Sequence, residues 1–478
     1  MQPNGDRKLI ISFRLEHLLG WGITIVLCLI PAIIWAQIHP LNQIRGFSGV
    51  MLSLGRVTGL VGLVLYALNL VYSTRLRFLE QLFGGLNRVY IAHHILGGLA
   101  LILLSFHPVL LSMRYITKIS LTSPFLKGSF HQAALLLLPN GLTPVNALFN
   151  TRLDNHAIVL EQWALLFGII AFWGMVVLLL VTFFIKIPYR IWIVMHRFLG
   201  AAFFFAGLHV LFITSDVSTH PALRNYILGF VALGLLAFTY KTLAGKILIR
   251  KHRYRVESVV TEGGNVTQVT MSPENLPMMY KSGQFLFIHF LDATPEGIGS
   301  EWHPFSISSG SSDANLRVSI KGLGDFTSKL GALKPGTMAE VEGAYGKFTY
   351  SNYHNLNQIW IAGGIGIAPF VSMARSLPAS GFRIDLYYSV KTTSEIIDWQ
   401  ALFDVATASK GYFRVIPYIG DKQPTYLNAD YIEKTSEGIA GKEIFICGPP
   451  GMMKAMHDQF RAKSIPGTSI HTEEFAMS

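Results

Sequence analysis

The chain has 478 residues, 51% of them hydrophobic and only 14% charged, which is too apolar for an ordinary soluble protein and long enough for two or three domains. Its two cysteines, Cys28 and Cys447, exclude a disulfide framework and a four-cysteine iron–sulfur cluster, so any redox centre must use other ligands. The formal net charge of +11 arises from Lys and Arg beside apolar runs rather than from a basic domain, which points to a lipid surface and away from nucleic acid.

Six runs of membrane-spanning length fill the first half, at about residues 17–38, 50–72, 89–112, 159–185, 193–214 and 223–245. The first is too long, and too poorly followed by small residues, for a removable signal peptide, and reads as a retained anchor. Basic residues gather at alternate ends of the runs: Arg7, Lys8 and Arg14; Arg75, Arg77 and Arg88; Lys186, Arg190 and Arg197; then Lys241 through Arg255. That asymmetry predicts both termini on the cytoplasmic side. The connection from about 113 to 157 is then outward-facing and long enough for a lid or binding surface.

Histidine interrupts the third and fifth runs in matching frames, HHILG at 93–97 and HRFLG at 196–200, each followed by an apolar stretch that reaches a second histidine. His93 and His107 are fourteen residues apart, His196 and His209 thirteen, so each helix spaces its imidazoles by roughly 20 Å, one towards each membrane face. Two facing helices would supply one pair per level, and a pair of imidazoles is a good axial ligand set for haem iron. Gly97 and Gly200, one turn after the inner histidines, are expected to clear space for a flat macrocycle. This register selects His93 over His94, although His94 to His107 would reproduce the thirteen-residue step. Thirteen residues do not return to one face of a straight helix, so the fifth helix must bend or the two groups must differ in rotation. Arg56, Arg88 and Arg197 are candidate partners for haem propionates. Structural histidines bonding across helices are the competing explanation.

From about residue 252 the pattern becomes alternation, as in RYRVESVV and GQFLFIHF, predicting an antiparallel barrel; from about 357, short apolar strands alternate with helical segments, predicting a parallel nucleotide-binding sheet. HPFSISS, 303–309, places small hydroxyl residues on a strand where Ser306, Ile307 and Ser308 can face a flavin ring. RVSIKGLGDFTSKL follows, offering Lys321 to a phosphate and a helix N-terminus near Asp325, with Gly322, Phe326 and Thr327 at the loop. IAGGIGIAP, 361–369, is a glycine-rich strand-to-helix turn with Gly363, Gly364, Ile365, Gly366 and Pro369, and ICGPPGMM, 446–453, ends another strand at Cys447, Gly448 and Pro449. Ser389 and Lys391, after the second strand of the nucleotide layer, lean the cofactor choice towards NADPH, with NADH open. The terminal EEFAMS supplies Glu474 as an acid and Phe475 as an aromatic cover over the flavin.

On these motifs the chain resembles the ferric reductase and NADPH oxidase superfamily, specifically bacterial ferric-reductase-like membrane proteins with a ferredoxin-reductase-type tail. The resemblance covers nearly the whole chain. It implies haem ligands at His93, His107, His196 and His209; FAD contacts at His303, Pro304, Phe305 and Ser306; and NAD(P)H contacts at Gly363, Gly364, Gly366, Pro369, Cys447, Gly448 and Pro449. Two positions depart from the family pattern: Ala344 stands where proline is frequent, and Leu111 where animal NADPH oxidases have a histidine, which weighs against oxygen as the acceptor.

The expected architecture is an all-α six-helix haem-binding membrane bundle over 1–250, a soluble β-barrel FAD domain over 251–352 and an α/β NAD(P)-binding domain over 353–478. The expected activity carries electrons from cytosolic NAD(P)H through FAD and two b-type haems, each with two histidine ligands, to a ferric chelate or oxygen across a bacterial inner membrane. Ser306, Cys447 and Glu474 would attend the hydride transfer. A superoxide-generating oxidase and a membrane-anchored flavin reductase without haem are the alternatives. The partners readable are the bilayer, NAD(P)H and a small acceptor, with no nucleic acid and no obligate protein.

Overall fold

The computed structural model describes residues 5–114, 156–185, 189–244 and 250–473. Most of the long connection expected to face outward, together with Glu474 and Phe475, lies outside the described residues. The chain divides into a unit built from Leu15–Leu248 and one built mainly from Ile249–Ser478. Each is described on its own.

The first unit is helical: α1 (Gly5–Ile38), α2 (Gly46–Tyr72), a short α3 (Arg77–Phe83), α4 (Leu86–Met113), α5 (His156–Phe184), α6 (Tyr189–Arg197), α7 (Leu199–Phe212), a single turn α8 (Asp216–Thr219) and α9 (Pro221–Thr239), which runs into a π-helical turn at Tyr240–Ala244. Among the described residues six stretches are long and apolar enough to cross a membrane: Leu19–Ile38, Gly46–Tyr72, Leu86–Met113, Leu160–Thr182, Ile191–Phe212 and Pro221–Thr242. Large apolar side chains such as Val26, Ile102 and Leu236 stand exposed along them, as bilayer solvation requires.

α2 packs along α4, α5 along α7, and α9 lies against both α2 and α7. Gly55, Gly59 and Gly62 share one face of α2, and a Cβ at any of them would collide with α4 side chains: Leu111 at 2.8 Å, His107 at 2.5 Å and Leu104 at 2.9 Å respectively. Small residues at this spacing let two membrane helices approach closely.

The fifth span is not continuous. Phe198 separates α6 from α7, and its N–H donates to Met195 one residue nearer than an α-helix would choose. Thirteen residues of α-helix would leave His209 about 140° from the face of His196, and one tightened turn recovers about 60° of that. The break therefore removes part of the misalignment that a straight helix would impose.

The second unit holds two sheets. Strands β1 (His252–Glu262), β2 (Val266–Pro273), β3 (Phe285–Phe290), β4 (His303–Ser306), β5 (Leu316–Lys321) and β6 (Met338–Tyr345) form an antiparallel sheet in the order β4-β3-β6-β1-β2-β5. A bridge from Ile307, just past β4, to Val318 in β5 joins the two ends and closes the barrel. Alternate residues, including Tyr254, Val256, Leu286, Ile288, Val318 and Val341, fill its interior.

The remaining strands, β7 (Asn357–Gly363), β8 (Arg383–Val390), β9 (Phe413–Ile419), β10 (Glu443–Cys447) and β11 (Ile470–Glu473), are parallel in the order β11-β10-β7-β8-β9. Helices α10 (Ala368–Arg375), α11 (Trp399–Ala408), α12 (Ala429–Thr435) and α13 (Pro450–Ala462) connect them. The chain leaves β7 towards β8 on one side and returns to β10 on the other. The carboxyl ends of β7 and β10 therefore flank a topological switch point, where open α/β sheets receive ligands.

Candidate functional site

In the membrane unit the four histidines form two pairs at two levels. The rings of His93 (α4) and His196 (α6) have centroids 6.1 Å apart, and those of His107 (α4) and His209 (α7) 6.5 Å. A metal bonded at about 2 Å to one nitrogen of each ring would set ring centres roughly 6 Å apart. His94 is exposed, whereas its neighbour His93 faces His196.

Hydrogen bonds then decide which nitrogen faces inward. Nδ1 of His93 lies 3.0 Å from the carbonyl of Asn69, Nδ1 of His107 2.7 Å from that of Gly55, and Nδ1 of His209 2.8 Å from that of Ala164. A carbonyl can only accept, so each Nδ1 carries the proton and each Nε2 keeps its lone pair for a metal. Glycine makes room for the His107–His209 pair: a Cβ on Gly59 would stand 2.5 Å from Nδ1 of His107, and one on Gly168 2.7 Å from Nδ1 of His209. Between them opens an apolar cavity lined by Tyr66, Leu104, Leu111, Leu165, Phe172, Met175 and Ala206, with the two imidazoles among its few polar groups. Apolar, and offering one lone pair from each of two facing imidazoles, this arrangement fits a haem.

Several sequence expectations need correction here. Gly97 and Gly200 do not clear space for a macrocycle: their missing side chains are filled by Asn69 of α2 and by the Phe238 ring of α9, which a Cβ at Gly200 would meet at 2.0 Å. Spacing along one helix reports a shared face but not what crosses it. Arg56 is ion-paired with Asp216 at 3.0 Å, and the same carboxylate takes a bond from Trp35 Nε1 at 2.9 Å and faces His39 at 3.1 Å. Arg197 is exposed.

In the second unit the HPFSISS segment lies at the barrel seam. His303 stacks on Phe326 with centroids 3.8 Å apart, and Phe305 lies parallel to the same ring at 6.5 Å, so β4 and the turn after β5 together present an aromatic wall. Burial holds the His303 imidazole below its ordinary range, opposed by the nearby Glu301. Pro304 pairs with Phe287 and Ser306 with Phe285 across β3 and β4. The Ser306 hydroxyl makes no hydrogen bond to any described residue. By contrast, Ser308 is committed to the barrel: its N–H donates to Arg317, its hydroxyl accepts from Ser319 at 3.0 Å, and it is fully buried. It therefore does not face an open site, contrary to the expectation that it faces a flavin ring.

The loop after β5 also differs from expectation. In place of an α-helix near Asp325, a 3-10 turn runs Thr327–Ala332, and the Thr327 hydroxyl already accepts from the amides of Leu323 and Gly324 at 2.9 and 3.0 Å. Gly322 is clasped to Asn265 of the β1–β2 turn, while Lys321 ends β5 half-exposed.

At the switch point the two glycine-rich turns touch. A Cβ on Gly366 would stand 2.3 Å from the Cys447 carbonyl oxygen, one on Gly363 2.7 Å from Met452, and one on Gly448 3.0 Å from the Gly363 Cα. Gly364 adopts a left-handed φ of +53° as the chain turns towards α10, where Pro369 occupies the first turn beyond Ile365 and Ile367. Pro449 caps α13. Ser389 ends β8 opposite Gly363, and the Lys391 side chain is exposed beyond it, its backbone amide held by Glu395 at 3.1 Å.

Cys447 is fully buried, and burial together with the Glu473 charge pushes its thiol well above the ordinary range. Glu473 pairs in register with Cys447 and brings a carboxylate oxygen to within 3.6 Å of a Cβ position on Gly346, beside Phe285. Phe285 is the β3 partner of Ser306, so Glu473 links the Ser306 and Cys447 neighbourhoods. Sequence reasoning passed over it for Glu474.

Residues 58–207 match the family described as ferric reductase like transmembrane component, 251–348 an FAD-binding domain, and 360–458 an oxidoreductase NAD-binding domain. The chain belongs to the ferric reductase and NADPH oxidase superfamily. Within it, the respiratory burst oxidase homolog protein B of Arabidopsis thaliana is 29% identical over 175 residues, 31% of this chain and 20% of that protein. The reductase component of the propane 2-monooxygenase of Mycolicibacterium goodii is 24% identical over 270 residues, 53% of this chain and 75% of its own length. The crystal structure of the Amycolatopsis cytochrome P450 reductase GcoB aligns at 22% identity with a TM-score of 0.42, covering 48% of this chain and 71% of that one. This superfamily member is a multi-pass membrane oxidoreductase with binding domains for FAD and NAD(P)H.

Proposed function

We propose that the protein carries electrons across a bacterial cell membrane from NAD(P)H on the cytoplasmic side to a small acceptor on the other, either a ferric chelate or oxygen. The observation that carries this reading is the pair of facing imidazoles at each of two levels, with Nε2 of His93, His107 and His209 left free by carbonyl bonds to Nδ1. FAD, when bound, would supply the conversion between a two-electron hydride donor and one-electron carriers, and two haems would supply those carriers.

In this reading residues 1–250 form the membrane path, 251–352 hold FAD and 353–478 hold NAD(P)H. His93 and His196 hold the inner haem, and His107 and His209 the outer one. The wall of His303, Phe305 and Phe326 and the hydroxyl of Ser306 receive the flavin. The touching turns at Gly363–Gly366 and Cys447–Pro449 let backbone approach the dinucleotide, and the buried, protonated Cys447 thiol presents no charge there. Ser389 and Lys391 would meet a 2′-phosphate. His107 and His209 would hold the outer haem between them, and the group would supply single electrons to an acceptor that need not bind its iron.

Purified protein reduced anaerobically with NADPH or NADH should show the sharp visible bands of six-coordinate b-type haem, two per chain. A flavin spectrum without them would establish the membrane-anchored flavin reductase in its place. Oxidation of the nucleotide, followed with a ferric chelate under nitrogen and then with oxygen alone, separates a ferric reductase from a superoxide generator.

A further inference from the structure

Three of the four paired imidazoles are oriented by a backbone carbonyl, and the fourth is not. Nδ1 of His196 is buried without a hydrogen-bond partner among the described residues. Its ring lies flat against that of Trp192, with centroids 5.0 Å apart and 13° between the planes. Trp192 stands four residues earlier on α6, so the contact is made within one helical turn and needs no neighbouring helix.

The break at Phe198 accounts for the difference. Along α5 and α7 the carbonyl of Ala164 meets His209. Carrying that antiparallel register back by the thirteen residues to His196 would bring it opposite Val177, but α6 is a separate segment, and no carbonyl of α5 bonds its ring.

We propose that Trp192 is the positioning residue of His196, supplying by ring stacking the orientation that a carbonyl supplies to His93, His107 and His209. The proposal rests on the haem reading above. A stacked ring is fixed in plane but gains no basicity, whereas a ring whose N–H donates to a carbonyl becomes a stronger donor to iron. The two levels therefore differ chemically: the outer one has two carbonyl-bonded ligands, the inner one a single one.

The test uses the full chain in detergent, in two backgrounds that isolate each level: H107A/H209A, leaving the inner haem, and H93A/H196A, leaving the outer. Trp192→Leu in the inner-only chain should lower haem content several-fold, broaden the low-spin electron paramagnetic resonance signal and move the midpoint potential. Trp192→Phe, which keeps an aromatic face, should restore all three. The outer-only chain should ignore both substitutions. An inner haem unchanged by Trp192→Leu overturns the proposal alone, and equal loss of both haems overturns it by showing that the tryptophan serves the bundle. Wild-type protein without haem overturns the proposal together with the reading beneath it.

Discussion

Gly59 lies beneath the His107 ring so closely that a methyl group there would stand 2.5 Å from Nδ1. The same Nδ1 is bonded to the Gly55 carbonyl one turn away on α2, so the ring cannot retreat without breaking that bond. Gly59→Ala should displace His107 and halve the haem content while sparing the inner level. Gly168→Ala should do the same through His209. Gly97→Ala, where the nearest atom is the Asn69 side-chain amide at 3.2 Å, should keep both haems. Pyridine haemochrome measurement per mole of protein separates the three.

The ligand assignment makes its own prediction. His93→Ala and His196→Ala should each remove one haem, and His107→Ala and His209→Ala the other, whereas His94→Ala should retain two. Two haems in His93→Ala together with loss in His94→Ala would transfer the inner ligand to His94.

Arg317 joins the flavin segment to the nucleotide domain: one guanidinium nitrogen lies 2.8 Å from Asp398 and 3.2 Å from the Ser308 carbonyl. Asp398 is nearly inaccessible, and burial raises its carboxyl above the ordinary range while Arg317 opposes that rise. Arg317→Met leaves a buried carboxylate uncompensated and should cost about 3–5 kcal/mol at neutral pH. A carboxyl whose folded value lies above its unfolded one holds its proton more tightly when folded, so stability falls as pH rises through that window. The penalty of Arg317→Met should accordingly shrink on going from pH 8 towards pH 4, read by thermal release of flavin fluorescence. A penalty independent of pH would mean that the loss comes from packing and not from the carboxylate.

Cys447 should be inert as a nucleophile. Its thiol is buried and held well above the ordinary range, so near pH 8 it remains protonated, and the thiolate is the reactive form. Iodoacetamide at that pH should leave native Cys447 unmodified and label it after denaturation, as peptide mass spectrometry would report. Rapid labelling of the native chain would show that the switch point opens.

The six spans were legible because bilayer solvation demands uninterrupted apolarity, and the paired histidines because ionisable groups there are rare. The small-residue spacing of a close helix contact in LGRVTGLVG was an available signal for the glycines that matter, but the reading fell on Gly97 and Gly200. Gly97 and Gly200 were misread because position relative to a histidine does not reveal the opposing helix. The break at Phe198 has no proline or glycine pair to mark its place, although the thirteen-residue step from His196 to His209 already called for a bend in this helix or a rotation between the two groups. Asp216 lies 160 residues from Arg56, and no local pattern connects them. In the soluble half the motifs marked the seam and the switch point, but Ser308 and Thr327 were assigned outward before the barrel and its loop had claimed their hydrogen bonds.

The first helix is fastened at three heights: Thr24 to Tyr72, the Leu27 carbonyl to Tyr226, and Trp35 with His39 to Asp216. Two of those three attachments involve residues 181 and 199 positions further along the chain. A chain made from its N-terminus onward must therefore hold α1 in the bilayer on apolarity and the Thr24–Tyr72 contact until the later spans have been synthesised. The first of the described helices is thus fully locked only late, and assembly of the bundle is bound to the completion of the Pro221–Thr242 span.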